Sequence, residues 1–345
     1  MRDMAQEGIC VRASKLGTVA MCVVALFVGR WAGAADGSTG VQVKQSGAEV
    51  EIQVDGKLFT RYTMLSAPNK PVFYPILTED GKHFTRRWPV EPDAVPGESH
   101  DHVHHRGLWF THSKVNGVDF WSEEGTVGKT VTTRISAVHS GATHGSFTAD
   151  TEWRLPDGKL IARDRRVVSI TRLNNGGRLL DFDITITPTD GPLVFGDNKD
   201  GVFGLRLPDT LAVNPAVKPK VTGTGHILTS TGMKDGDAWG KRADWVDYWG
   251  PIPAGGDTHG VAIFDSPSNF RHPQTWHARD YSLFTVNPFG LHDFNLGDKG
   301  AGDLTVPADG KLHALYRVYF HRGNAEDARV ADHYAEFAGK KRAVQ

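Results

Sequence analysis

The chain has 345 residues, with 39 lysines and arginines against 40 aspartates and glutamates and a formal net charge of -1. So even a balance gives no electrostatic case for nucleic acid or an anionic membrane surface as a partner. The length suits one large β domain or two smaller ones.

At the N-terminus, Arg12 and Lys15 precede an apolar run from Leu16 to Val28, and Ala32-Gly33-Ala34 fits the small-residue pattern of a signal-peptidase site. The expectation is export to the periplasm or beyond, with cleavage after Ala34 and residues 35–345 forming one domain. The run is shorter than the span of about 20 residues that crosses a bilayer comfortably, so no stable membrane insertion is expected after cleavage. Both cysteines, Cys10 and Cys22, fall in the leader. The mature chain is therefore expected to use neither disulfides, nor thiolate catalysis, nor cysteine-ligated metal. Removing residues 1–34 takes four basic and two acidic residues and leaves 35 against 38, which favours a neutral ligand or one carrying local charge.

Alternation of apolar and polar residues predicts strands at Val41-Gln42-Val43-Lys44, Val50-Glu51-Ile52-Gln53-Val54, 180–186 and 315–320. Turn signals separate them, among them Asp55-Gly56, Asp80-Gly81, Pro156-Asp157-Gly158 and Asp309-Gly310. Helical spacing of Ala325, Ala328, Val330, Ala331, Tyr334 and Phe337 predicts a helix over 324–339. The fold class is all-β: a large antiparallel two-sheet supersandwich with a short C-terminal helix. The stretch around Pro215 and Pro219 reads as a surface loop. Asp164, with Arg163, Arg165 and Arg166, reads as a charge cluster at a strand edge, and Trp109, Phe120 and Trp121 read as core between the sheets.

Six of the sixteen histidines lie between His83 and His112. If that segment is extended, His100, His102, His104 and Arg106 share one face while Asp101, Val103, His105 and Gly107 share the other. Histidine titrates near neutrality and ligates metals when neutral, so such a face suits acid/base work or a metal. Two further segments carry binding chemistry. In 195–206, Asp197 and Lys199 sit among glycines on a loop, where polar groups bind sugar hydroxyls or a metal. In 271–281, Arg271, His272, Trp276, His277, Arg279 and Tyr281 mix aromatic faces with hydrogen-bonding groups, as a pyranose ring requires. Asn287-Pro288-Phe289-Gly290 is placed at the border of the same pocket.

Taken together, His102-Val-His104-His105-Arg106-Gly-Leu-Trp109, Val115-Asn116-Gly117-Val118-Asp119-Phe120-Trp121, Arg271-His272-Pro273, Trp276, Arg279-Asp280-Tyr281 and Asn287-Pro288-Phe289-Gly290 resemble the bacterial secreted domain family known as PmoA-like, over most of the mature chain. The methane chemistry in that label does not carry over, because the monooxygenase subunit of that name is an integral membrane protein. What the resemblance implies is a supersandwich similar to that of galactose mutarotase, which holds sugars in a cleft on one sheet. No glutamate here is matched to a mutarotase catalytic position, so epimerisation is not carried over.

The leading expectation is a secreted carbohydrate-processing enzyme that cleaves a glycoside by hydrolysis or elimination. His102, His104, His105, His277 and Tyr281 are its expected catalytic residues. Arg106, Asp197, Lys199, Arg271, His272, Trp276, Arg279 and Asn287 are expected to bind substrate. One divalent ion, zinc, manganese, iron or nickel, is expected on His102, His104 and His272 if a metal is used. The alternatives are a histidine-ligated metal redox enzyme and a carbohydrate-binding protein without turnover.

Overall fold

The computed structural model describes residues 39–65, 69–213, 223–253 and 255–339. The expected leader and the Pro215 and Pro219 loop lie outside the described residues. In chain order the strands are β1 (Val41–Ser46), β2 (Glu49–Val54), β3 (Lys57–Thr63), β4 (Val72–Ile76), β5 (Leu108–His112), β6 (Lys129–His139), β7 (His144–Arg154), β8 (Leu160–Arg172) and β9 (Arg178–Pro188). They continue as β10 (Leu193–Phe195), β11 (Gly201–Arg206), β12 (His226–Thr229), β13 (Trp245–Pro251), β14 (Thr258–Asp265), β15 (Thr275–Ala278), β16 (Leu283–Asn287), β17 (Leu304–Val306) and β18 (Leu312–Arg322), and helix α1 (Val330–Gly339) follows.

Two eight-stranded antiparallel sheets result. The first has the order β1-β2-β3-β4-β5-β11-β16-β15, and the second β12-β13-β14-β18-β9-β8-β7-β6. The fold is all-β, as the alternation predicts, and the four strands named from sequence lie in β1, β2, β9 and β18. Their inward faces meet in one apolar core, where Phe182 stacks on Phe110 at 5.8 Å and on Phe203 at 4.9 Å. Phe203 in turn stacks on Tyr316 at 5.2 Å. Each such ring contributes roughly 1.5–3 kcal/mol by leaving water.

Three expectations need correction. The helix begins at Val330 rather than at residue 324, because Asn324 Oδ1 accepts the N–H groups of Glu326 and Asp327 at 2.9 Å and Arg329 adopts a φ of 52°. A left-handed residue stops an α-helix from extending back through it. The Asp164 cluster is only half at the surface. Along β8, Arg163 and Arg165 face outward, whereas Asp164 and Arg166 are buried, paired at 2.8 Å, and capped by the Trp153 indole N–H at 2.7 Å. Finally, Phe120 belongs to the core between the sheets, but Trp109 and Trp121 do not: they pack in a separate cluster with Val72, Tyr74 and Leu283.

Candidate functional site on the outer face of the first sheet

Alternation along β5, β11, β15 and β16 turns Leu108, Phe110, Phe203, Leu205, Trp276, Phe284 and Val286 into the core. The other face of the same strands is buried as well, beneath a second set of residues outside that core. Register sets His277 beside Thr285, Thr285 beside Gly204, and Gly204 beside Trp109. Directly paired residues share a face, so these four form a row across the sheet. Glycine is required in that row. A Cβ on Gly204 would lie 2.9 Å from Thr285 Cγ2 and 3.1 Å from ring carbons of both Trp109 and Trp121.

The histidine segment folds over this row, and not as an extended strand. His102 has a φ of 46°, and the His105 N–H donates to the His102 carbonyl at 3.0 Å, which makes 102–105 a tight turn. Gly107 closes the turn into β5, since a Cβ there would lie 2.2 Å from the Phe73 carbonyl oxygen. The simple odd/even division of faces is therefore lost. His102, His104 and His105 instead come together. His102 stacks on His105 at 4.7 Å and on Tyr281 at 5.4 Å, both 2° from parallel, and His105 stacks on Trp109 at 5.5 Å. His104 stands edge-on to His105 at 4.5 Å.

Asp101 fixes the protonation of this column. Its carboxylate takes Arg86, takes Arg206 at 2.9 Å, and accepts the His102 Nδ1–H at 3.0 Å. Burial pushes its pKa up, but the His102 hydrogen bond and the two guanidiniums outweigh that and hold it well below the usual carboxylate range. With Nδ1 donating, neutral His102 presents Nε2 as an acceptor on a side chain that is 42% exposed. A carboxylate that orients an imidazole in this way is the arrangement of a general base.

On the other side of Tyr281, the Arg279 guanidinium lies 5.2 Å from the Tyr281 ring and 5.8 Å from the Trp239 ring. The Trp239 indole N–H donates to His277 Nδ1 at 3.1 Å. An indole only donates, so neutral His277 carries its proton on Nε2. Burial, reinforced by Arg279, Lys199 and His102, pushes the His277 pKa well down. Burial likewise pushes His104 down to about 3, with help from Lys70 and His102. Tyr281 is raised by burial to about 12, against the pull of Arg279 and Arg206. At neutral pH the site therefore holds neutral His104 and His277 and a protonated phenol, with His102 Nδ1 turned to Asp101.

A buried bracket supports the other end. Lys70 Nζ donates to the Trp121 carbonyl at 2.8 Å and Asn69 Oδ1 at 3.0 Å and lies 3.4 Å from Glu123, while Arg106 holds Glu123 at 2.7 Å. Burial brings Lys70 down to about 8, although Glu123 opposes the shift. The bracket positions Trp121 beside Trp109, with ring centroids 5.0 Å apart. The Trp109 and Trp121 indole N–H groups, the Thr285 hydroxyl and His105 Nδ1 are buried there without a hydrogen-bond partner among the described residues. Such groups in a native fold call for an explanation, and a ligand is one.

The model described as "Family of unknown function (DUF6807)" matches residues 49–335, a span that contains every residue of this site. The chain belongs to DUF6807. No curated protein matches it. Among solved structures it is similar to the protein of "Crystal Structure Analysis of HI1317", at 5% identity over 82% of this chain and 99% of that one, with a TM-score of 0.27. That likeness is too slight to argue from.

Within the DUF6807 chain the structure divides the residues expected from sequence. It gathers His102, His104, His105, His277, Arg279 and Tyr281, and Lys199, paired with Asp200 at 3.0 Å, lies near His277. The others hold the scaffold. Arg106 is taken by Glu123. Asp197 accepts the backbone N–H groups of His292, Gly300 and Gly302 at 2.9–3.3 Å. Arg271 donates to the carbonyls of Pro288, Ala301, Gly302 and Asp303 at 2.7–3.1 Å. Asn287 is fully buried and ties down the carbonyls of Asn198 and Lys199. Trp276 is a core residue whose indole N–H donates to the Ala243 carbonyl at 2.9 Å.

His272 does not join His102 and His104 as a third ligand in this structure. Its Nδ1 lies 2.8 Å from Asp265 and its Nε2 3.4 Å from Asp244, which occupies both ring nitrogens. His102 and His105 are also parallel, and imidazole lone pairs lie in the ring plane, so these two cannot converge on one ion. Among the described residues, the three candidate ligands within 4.8 Å of one another are Glu79, Asp80 and His259. There Arg322 already pairs with Glu79, and Lys82 with Asp80 at 2.8 Å.

Sequence reasoning missed Thr285, Trp239, Lys70 and Arg86, read Gly204 and Arg206 as part of a 195–206 loop although both lie in β11, and placed Trp109 and Trp121 in the core between the sheets. A signal was present for one of them: Gly204 interrupts an otherwise bulky strand, which marks a close approach.

Proposed function

We propose that this DUF6807 chain is an exported carbohydrate-processing enzyme that cleaves a glycoside at the outer face of its first sheet, by hydrolysis or elimination. The observation that carries the reading is the meeting of an Asp101-oriented imidazole, a stacked aromatic column and unpartnered buried donors on one sheet face. The column offers the apolar surface that a pyranose ring packs against, and the donors suit its hydroxyl edge. His102 Nε2 takes the proton from water or from the sugar carbon. Tyr281, protonated at neutral pH, gives its proton to the leaving oxygen, and the His277 Nε2–H hydrogen-bonds that oxygen. A groove of about 800 Å³ along 93–101 ends at Asp101 and leaves room for further sugar rings.

The test is a panel of plant and algal polysaccharides incubated with mature protein, with products read by mass spectrometry. Wild type is expected to release oligosaccharides, and His102→Ala and His104→Ala to lose turnover at unchanged melting temperature. Full activity in both variants refutes the assignment.

A second reading, carbohydrate binding without turnover, draws support from one feature. Asp101 and Glu123, the carboxylates that hold the histidine turn and the Trp121 bracket, are both ion-paired, so neither is a free carboxyl group available as acid. Oligosaccharide binding by wild type with no product across the panel favours that reading.

A further inference from the structure

We propose that the ligand of this site is an acidic sugar, a uronate whose carboxylate pairs with Arg279; this rests on the carbohydrate reading above. Three observations lead to it. The first is charge. Arg86 and Arg206 face Asp101, with Asp209 a further 3.9 Å from Arg206. Lys70 and Arg106 share the single carboxylate of Glu123. Arg279 has no ion pair among the described residues, and the adjacent Asp280 makes none with it. Arg279 is thus the cation of this site left without an ion-pair partner among the described residues, and a bound anion would pair with it.

The second is the direction of its hydrogen bonds. Trp109 and Trp121 are 1% and 2% exposed, and among the described residues their indole N–H groups have no acceptor and the hydroxyl of fully buried Thr285 beside them has no partner. His277 adds an Nε2–H on the same face, since Trp239 occupies its Nδ1. An ionised carboxylate only accepts, and it matches a surface made of donors better than a hydroxyl, which must also donate.

The third is the setting of Arg279 itself. Ring contacts with Trp239 at 5.8 Å and Tyr281 at 5.2 Å hold its guanidinium without using its N–H edge. A planar fork held in that way is preorganised for bidentate binding of a carboxylate.

The test is calorimetric titration of the mature protein with uronate oligosaccharides and with the same oligosaccharides after carboxyl reduction, which removes the charge and keeps the linkages. Wild type is expected to bind the acidic form roughly tenfold more tightly or better, Arg279→Gln to bind both forms equally, and Arg279→Lys to keep part of the preference. Equal affinities in wild type, or a preference that survives in Arg279→Gln, overturn the inference and leave the carbohydrate reading standing. Binding of neither form overturns both.

Discussion

His102 and Tyr281 stack 5.4 Å apart and 2° from parallel, and this contact joins the histidine turn before β5 to the turn between β15 and β16. Two segments distant in sequence thereby share one wall of the site. The imidazole on one and the phenol on the other are positioned by the same pair of rings, so their separation is set by packing.

Asp101 has two separable roles. Asp101→Asn removes the counter-charge of the buried guanidiniums of Arg86 and Arg206, and is expected to destabilise the fold by about 3–5 kcal/mol in urea unfolding. It also replaces an acceptor-only carboxylate with an amide that can donate as well, so the His102 proton is no longer held on Nδ1 and turnover should fall by about a hundredfold or more. A variant with wild-type stability would show that the ion cluster is not what holds the turn.

Acid should weaken the protein in two overlapping ranges. The folded pKa of His104 is about 3, below its ordinary value, so as pH falls below about 6.5 the unfolded chain takes up a proton that the native site refuses. Asp101 is also held below its ordinary range, so its contribution is present above about pH 3.9 and is lost as pH falls further. Both terms have the same sign. The melting temperature should decline from pH 7 to pH 4, and less steeply in His104→Gln. A flat profile across that interval contradicts neutral histidines in the native site.

Gly204→Ala probes the floor of the site. The added methyl meets Thr285, Trp109 and Trp121 at 2.9–3.1 Å, tighter than ordinary packing. The expected penalty is about 1–3 kcal/mol in stability, with a loss of oligosaccharide affinity. Affinity equal to wild type would mean that the ligand does not rest on this row.

Asp164→Ala serves as the contrast. It leaves the buried Arg166 without its counter-ion on the core side of the second sheet, which should lower stability by about 3–5 kcal/mol, while affinity measured well below the melting temperature stays unchanged. A parallel loss of binding would show that the core and the outer face are coupled.

The strands were legible because alternation reports burial, as in β1, β2, β9 and β18. The density of histidines around residue 104 marked the segment whose side chains the structure brings together with Tyr281 and Trp109. Its geometry was not legible, since nothing in the sequence marks His102 for positive φ, and that one torsion replaces an extended face with a turn. β5 failed for another reason. Leu108-Trp109-Phe110 is apolar on both sides because the strand is covered on both sides, so its pattern does not say which residue faces outward. The same ambiguity made Trp276 look like a platform when its neighbour His277 faces the site. Arg271, Asp197 and Asn287 had the chemistry of binding residues, and the backbone groups of the surrounding loops use all of it.

The most direct measurement is a ¹H–¹⁵N spectrum of the tryptophan indoles during titration with the bound oligosaccharide, assigned with Trp→Phe variants. The account predicts that the Trp109 and Trp121 indole signals, which lack protein acceptors, shift with ligand. It predicts that Trp153 and Trp276, already bonded to Asp164 and to the Ala243 carbonyl, do not. Binding that leaves Trp109 and Trp121 unmoved would place the ligand elsewhere and contradict the site.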